Sequence, residues 1–329
     1  MSGLIRPATR SDAPGMLDLL VRDAERRRLL DPALWPVATD ARVRIEAALA
    51  GGLDGSTREL WLIAEVLRQL VGIAHAMQVP VPPIYGVTTG PPGLFLDDCF
   101  ATEAAPAGTP EALVEATEAA LRAAGVSATI ASCPSAGPWR TVFERRGYEP
   151  VTFYMAKHGL EARALPPRVR SAGPEDVPGI VTLSSNHRKT LAKLNPRFWP
   201  PHPEADSRFE GWMRYSLTLK DRDMFVADSP GETHGYIIAQ PVSPLLIPAA
   251  HDIRSIGVID DYYDHDFADV SAVSNGGVSA AALLSAAETA LARRAYAATL
   301  VVCPAAWTSK VTLLEREGYR TAKLWMLKR

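Results

Sequence analysis

The chain has 329 residues, of which 47% are hydrophobic and 22% charged, with a formal net charge of −2. That length favours two domains over one, and each half is long enough to bury its own core. The charge balance offers no basic footprint for nucleic acid, and no apolar run nears the ~18 residues of a membrane span. No basic-then-apolar leader opens the chain. The expectation is a cytoplasmic protein, monomer or homodimer, with no nucleic-acid or membrane partner. Cys99, Cys133 and Cys303 have no metal-ligand spacing, so reduced packing thiols and no metal are expected.

In chain order, segment 5–16, IRPATRSDAPGM, reads as a strand feeding a helix, and 169–180, VRSAGPEDVPGI, repeats it in register. Arg6, Asp12, Pro14 and Gly15 return as Arg170, Asp176, Pro178 and Gly179, an acidic residue at a helix start with proline just inside. Leu30-Asp31-Pro32-Ala33-Leu34-Trp35-Pro36 returns as Leu194-Asn195-Pro196-Arg197-Phe198-Trp199-Pro200, a helix ended by Asx-Pro. A Trp held between prolines is either a wedge between helices or a pocket wall. Both Trp35 and Trp199 are therefore candidates for substrate contact.

Two hairpins follow, Trp61–Val79 and Met224–Gln240, the second turning at 229–231, each leading into a proline-rich connection. Apolar strands then close on Asp97-Asp98 and on Asp260-Asp261. Each leads through a glycine loop into a long Ala/Leu helix, an arrangement that aims N–H groups and a positive helix end at one point and suits phosphate. Leu113, Glu118 and Leu121 in the first helix match Leu283, Glu288 and Leu291 in the second. Phe143-Glu144-Arg145-Arg146-Gly147-Tyr148 and Leu314-Glu315-Arg316-Glu317-Gly318-Tyr319 each end a helix with Gly at the C-cap. The repeat predicts two domains, 1–160 and 166–329, joined near 159–167. The fold class is α/β (α+β), each domain a mixed, mostly antiparallel sheet flanked by helices.

This order, with the Glu-Arg-x-Gly-Tyr ending and the Asp-Asp strand before a glycine loop, resembles the GCN5-related N-acetyltransferase (GNAT) family, once per half. The resemblance implies a sheet splayed between its fourth and fifth strands, with acetyl-CoA in the splay and a small amine as acceptor. It also implies a pyrophosphate loop of the form Gln/Arg-x-x-Gly-x-Gly/Ala, from which both copies depart. The second reads Asn275, Gly276, Gly277, Val278, Ser279, Ala280, and the first reads Ala105, Pro106, Ala107, Gly108, Thr109, Pro110. Proline has no N–H, so donor count favours the second copy as the cofactor site. The first copy, contributing Gly108 and Thr109, has the spacing nearer the family pattern.

Acetyl transfer needs a neutral amine, which an alkyl ammonium near pKa 10.4 supplies in roughly one molecule in 2,500 at pH 7, a penalty of ~4.6 kcal/mol. The base candidates are Asp261 and Asp260, with Tyr262 beside them; Asp97, Asp98 and His75 are the first-half counterparts. Aspartates at a strand end serve equally well as loop-organising acceptors, and a strand histidine as a core residue. The family's Tyr acid is replaced by Phe143 and Leu314. The departures leave a rival expectation, a non-catalytic CoA-binding or regulatory protein.

Overall fold

The computed structural model describes residues 4–54, 58–86, 90–229 and 232–328; Pro230 and Gly231 of the second expected hairpin turn lie outside them. The first half runs β1 (Leu4–Pro7), α1 (Ala13–Leu30), α2 (Ala41–Gly52), β2 (Glu59–Val66), β3 (Gln69–Gln78), β4 (Pro92–Phe95), a two-residue β5 (Phe100–Ala101), α3 (Thr109–Ala123), β6 (Ala128–Pro134), α4 (Pro138–Arg145) and β7 (Tyr148–His158). The second runs β8 (Val169–Ser171), α5 (Val177–Leu194), α6 (Ala205–Ser216), β9 (Asp223–Ser229), β10 (Glu232–Pro241), β11 (Ile256–Asp264), α7 (Val278–Arg293), β12 (Ala298–Pro304), α8 (Thr308–Arg316) and β13 (Arg320–Lys328). Apart from β5, this is the element order expected from the repeat.

The repeated motifs are structural fasteners. Arg6 grips both oxygens of Asp12 at 2.8 Å, and Asp12 also accepts the Thr9 N–H, so the strand is clamped to the helix start. Arg170 and Asp176 do the same at 2.7 Å. Asp31 and Asn195 turn the chain after α1 and α5 by accepting from the amides two and three residues on. Gly147 and Gly318 take the positive φ values, 83° and 91°, that end α4 and α8. The tyrosines after them bury their rings and donate their hydroxyls to Glu118 at 3.0 Å and Glu288 at 2.9 Å. This explains why those two glutamates recur at matching places in α3 and α7.

All strands form one sheet in the order β1-β2-β3-β4-β6-β13-β7-β12-β11-β10-β9-β8, with β5 against β3. The halves trade their last strands: β13 pairs β6 of the first half, β7 pairs β12 of the second, and β7 and β13 pair with each other. Among the described residues, only β4·β6 and β11·β12 are parallel. Each of these pairs holds for four residues, Pro92–Phe95 on Ala128–Ala131 and Ile256–Ile259 on Ala298–Val301, before the strands diverge. A small apolar core, including Trp35, Tyr154, Leu246, Ile247, Val258 and Leu300, joins the halves.

Candidate functional site

A cavity of about 740 Å³ opens at the junction, walled by α5, α6, β11, the exchanged strands and loop 79–86 of the first half. That loop is docked on the second half by a bridge between Tyr85 and Pro201 and by the Gly86 N–H on the Pro200 carbonyl at 2.7 Å. The reciprocal dock joins Val37 to His251, with Asp252 N–H on Pro36 at 2.7 Å. Each half thus covers the other's helix-and-sheet pocket, but only one pocket is open. In the first half Arg27 is buried, donates to Asp23 at 2.8 Å and lies over the Trp35 ring. His75 stacks on Trp61 at 3.5 Å, its Nδ1 3.4 Å from Asp98. What remains there is a void of about 20 Å³. His75 is consequently a buried, charge-paired core residue.

The open pocket is organised by a bulge. Ala239 of β10 faces Ile259 and Ile238 faces Asp261, so Asp260 is the extra residue on β11. A bulge lets successive side chains share a face, and Asp260 and Asp261 both line the cavity. Asp260 is exposed to the open cavity, with protein packed closely around its carboxyl. It accepts from Gln240 Nε2 at 2.7 Å, and burial, then the charge of Asp261, pushes its carboxyl up to about 7. Asp261 accepts from the Tyr236 hydroxyl at 2.5 Å and lies 3.4 Å from His187 Nδ1. Burial lowers the pKa of His187, favouring neutral imidazole beside that carboxylate. Two carboxyl groups held by different donors in one pocket are an arrangement that proton transfer could use.

Of the expected residues, Asp260, Asp261 and Trp199 meet in this cavity. Trp35 does not: it is 2% exposed, packed between Arg27 and His251, and serves as a wedge. Tyr262 also turns away, its buried hydroxyl donating to the Ala280 carbonyl at 2.6 Å as a tie between β11 and α7. Its role is in the fold.

The Asn275–Ala280 loop forms the expected tight turn into α7, with positive φ at Asn275, Gly276 and Gly277. Several of its donors are already engaged. The Ser279 and Ala280 amides point at the buried carboxylate of Asp266, at 2.8 and 3.3 Å, and Asn275 Nδ2 reaches the same group at 3.2 Å. A negative charge therefore already occupies the helix N-terminus, where a phosphate would otherwise bind. Asp266 stands with Asp264 and His234, their ligand-capable atoms within 4.8 Å of one another; the hydrogen bonds identify this group as a helix cap. Gly277 is required by packing as well as φ, since a Cβ would come 2.6 Å from Leu313 Cδ1. Gly277→Ala should cost about 1–3 kcal/mol, read by chemical denaturation.

The splay is filled as well. Between β11 and β12, Lys310 Nζ donates to the Tyr262 carbonyl at 2.7 Å and Trp307 Nε1 to the Phe267 carbonyl at 2.8 Å. In the first half, Ser132 Oγ reaches Asp97 at 3.0 Å and buried Lys323 pairs with the same carboxylate, closing the gap between β4 and β6. Gly108 starts α3 with open space around it, but the Thr109 amide and hydroxyl both donate to the Pro106 carbonyl. In both halves, groups that would face acetyl-CoA are thus partly engaged by the protein itself. Sequence reasoning counted the donors correctly and missed what they face. Asp266, 13 and 14 residues before its partners in α7, gives no local signal.

No protein-family model matches the sequence, and no curated protein matches it. Solved structures do match over the whole chain. A GCN5-related N-acetyltransferase from Sphaerobacter thermophilus aligns at 16% identity and a TM-score of 0.56, covering 99% of this chain and 94% of that one. A tandem GNAT protein from the clavulanic acid biosynthesis pathway aligns at 12% and 0.50, covering 99% and 97%. A GNAT-family acetyltransferase from Colwellia psychrerythraea aligns at 11% and 0.50, covering 98% of each chain. The architecture is that of the tandem GCN5-related N-acetyltransferases. Among the described residues, no helix is long and apolar enough to cross a membrane.

Proposed function

We propose that the protein is an N-acyltransferase acting on a small amine, with the junction cavity as its acceptor site. The observation that carries this reading is Asp260, a carboxyl held near pKa 7 on a bulged strand in the wall of a 740 Å³ cavity. At neutral pH about half of such groups are ionised, which matches a base to its working pH. Asp261, fixed by Tyr236, holds the bound ammonium by charge; Asp260 takes its proton; neutral His187 adds no competing cation. Acetyl-CoA is the donor that the family resemblance implies, and it supplies the activated acyl group when bound. Calorimetric titration of acetyl-CoA, followed by thiol release with a panel of amines, tests the reading. One site per chain with turnover supports it, whereas no binding at millimolar ligand and no thiol released would sink it.

A second reading has a specific observation behind it. The Asp266 cap and the Lys310 and Trp307 plugs favour a protein that binds an amine without acylating it. Heat of amine binding with no thiol release from acetyl-CoA would select this alternative.

A further inference from the structure

The charges lining the junction cavity are unevenly matched. Three of its four arginines are already engaged. Arg188 is paired with Asp206 and Ser184, Arg208 with Glu204 at 2.7 Å, and Arg222 with Asp221 at 3.2 Å. The fourth, Arg197, is exposed, and its guanidinium has no hydrogen-bond or ion-pair partner among the described residues. In the same lining, Asp260 and Asp261 have neutral hydrogen-bond donors, Gln240 and Tyr236, and among the described residues no arginine is bonded to either. Among the described residues, the lining therefore carries two carboxyl groups with no cation bonded to them, Arg222 acting on Asp260 only through its charge, and one cation without a partner. Much of the remaining lining is apolar and aromatic, including Phe198, Trp199 and Trp212.

We propose that the acceptor is a zwitterion of about dipeptide size, its amine at Asp260 and Asp261 and its carboxylate at Arg197, with apolar side chains against the aromatic wall. This rests on the amine-acceptor reading above and narrows it. The size follows from the volume: 740 Å³ lies in the range of pockets that enclose a drug-sized ligand, well beyond a single amino acid. The polarity follows from the charges. A guanidinium binds a carboxylate through paired N–H groups, while the aspartates accept from an ammonium and repel an acid. A simple amine would leave Arg197 unused, and an acid without an amine would meet the carboxylates.

Three ligands separate the terms: the dipeptide Phe-Phe, its C-terminal amide, and N-acetyl-Phe-Phe, each titrated calorimetrically into the full-length protein without acetyl-CoA. Phe-Phe should bind at least ten-fold more tightly than either derivative. Arg197→Gln, at an exposed position, should remove the advantage of the acid over the amide. If the amide binds the native protein as tightly as Phe-Phe, the carboxylate subsite is overturned and the amine reading survives. If the N-acetyl form binds as well as Phe-Phe, or none of the three binds at millimolar concentration, the zwitterion is overturned together with the amine site.

Discussion

Lys323→Met is expected to lower folding stability by about 3–5 kcal/mol, the cost of leaving a buried charge without its partner. Lys323 is 0% exposed and lies on β13, the last strand of the sequence, yet its ammonium pairs with Asp97 at the end of β4 and donates to the Leu246 carbonyl at 2.6 Å. Deleting the cation strands Asp97, whose one remaining side-chain donor is Ser132. Because the loss comes from the stranded carboxylate, Asp97→Asn in the same chain should restore most of it. Denaturant titration of the two single variants and the double variant measures the coupling. Additive losses would mean that the pair does not act as a unit. The result also bears on the exchanged strands, since Lys323 reaches Asp97 only because β13 runs beside β6.

The second large effect is at Asp260. Asp260→Asn should reduce acyl transfer to an amine by at least 100-fold, about 2.7 kcal/mol of barrier, because an amide cannot take the proton. The same substitution should act on stability in the opposite direction, and only at high pH. The folded-state pKa, about 7, lies above the unfolded carboxylate value. The native state therefore holds more protons between roughly pH 4 and 7, and stability falls as pH rises through that window. Above it the native protein carries the full penalty and the Asn variant none. Allowing for water in the cavity, the gain at pH 8 should be on the order of 1 kcal/mol, vanishing near pH 4. A stability difference between variant and native chain that is the same at both values would mean that the carboxyl titrates normally.

Much of the fold was legible because the chain states it twice. Arg6–Asp12, Asp31-Pro32 and Gly147-Tyr148 each recur, and each recurrence is a local device whose partners lie within a few residues or one helix away. The strand exchange was not legible. β7 and β13 have the same pattern whichever neighbour they take, and their register is set by pairing across the whole sheet. The site divides in the same manner. The Asp260-Asp261 pair was visible as two acids closing an apolar strand, but the bulge that turns both inward depends on the register with Ala239. Trp35 and Trp199 looked alike because their local sequences are alike. Arg27 fills the pocket near the first, while the corresponding position near the second is Leu191, which leaves room. Asp266 and Lys310 were missed because a capped helix and a plugged splay are long-range contacts.

The most direct measurement is the rate of thiol release from acetyl-CoA with a responsive amine, followed from pH 5 to 9 for the native chain and for Asp260→Asn. The account predicts a native kcat/KM that rises through a pKa near 7, and a variant at least 100-fold slower in which that inflection is gone. A variant that keeps both the native rate and the native inflection would contradict it, and the proton acceptor would have to be sought outside the junction cavity.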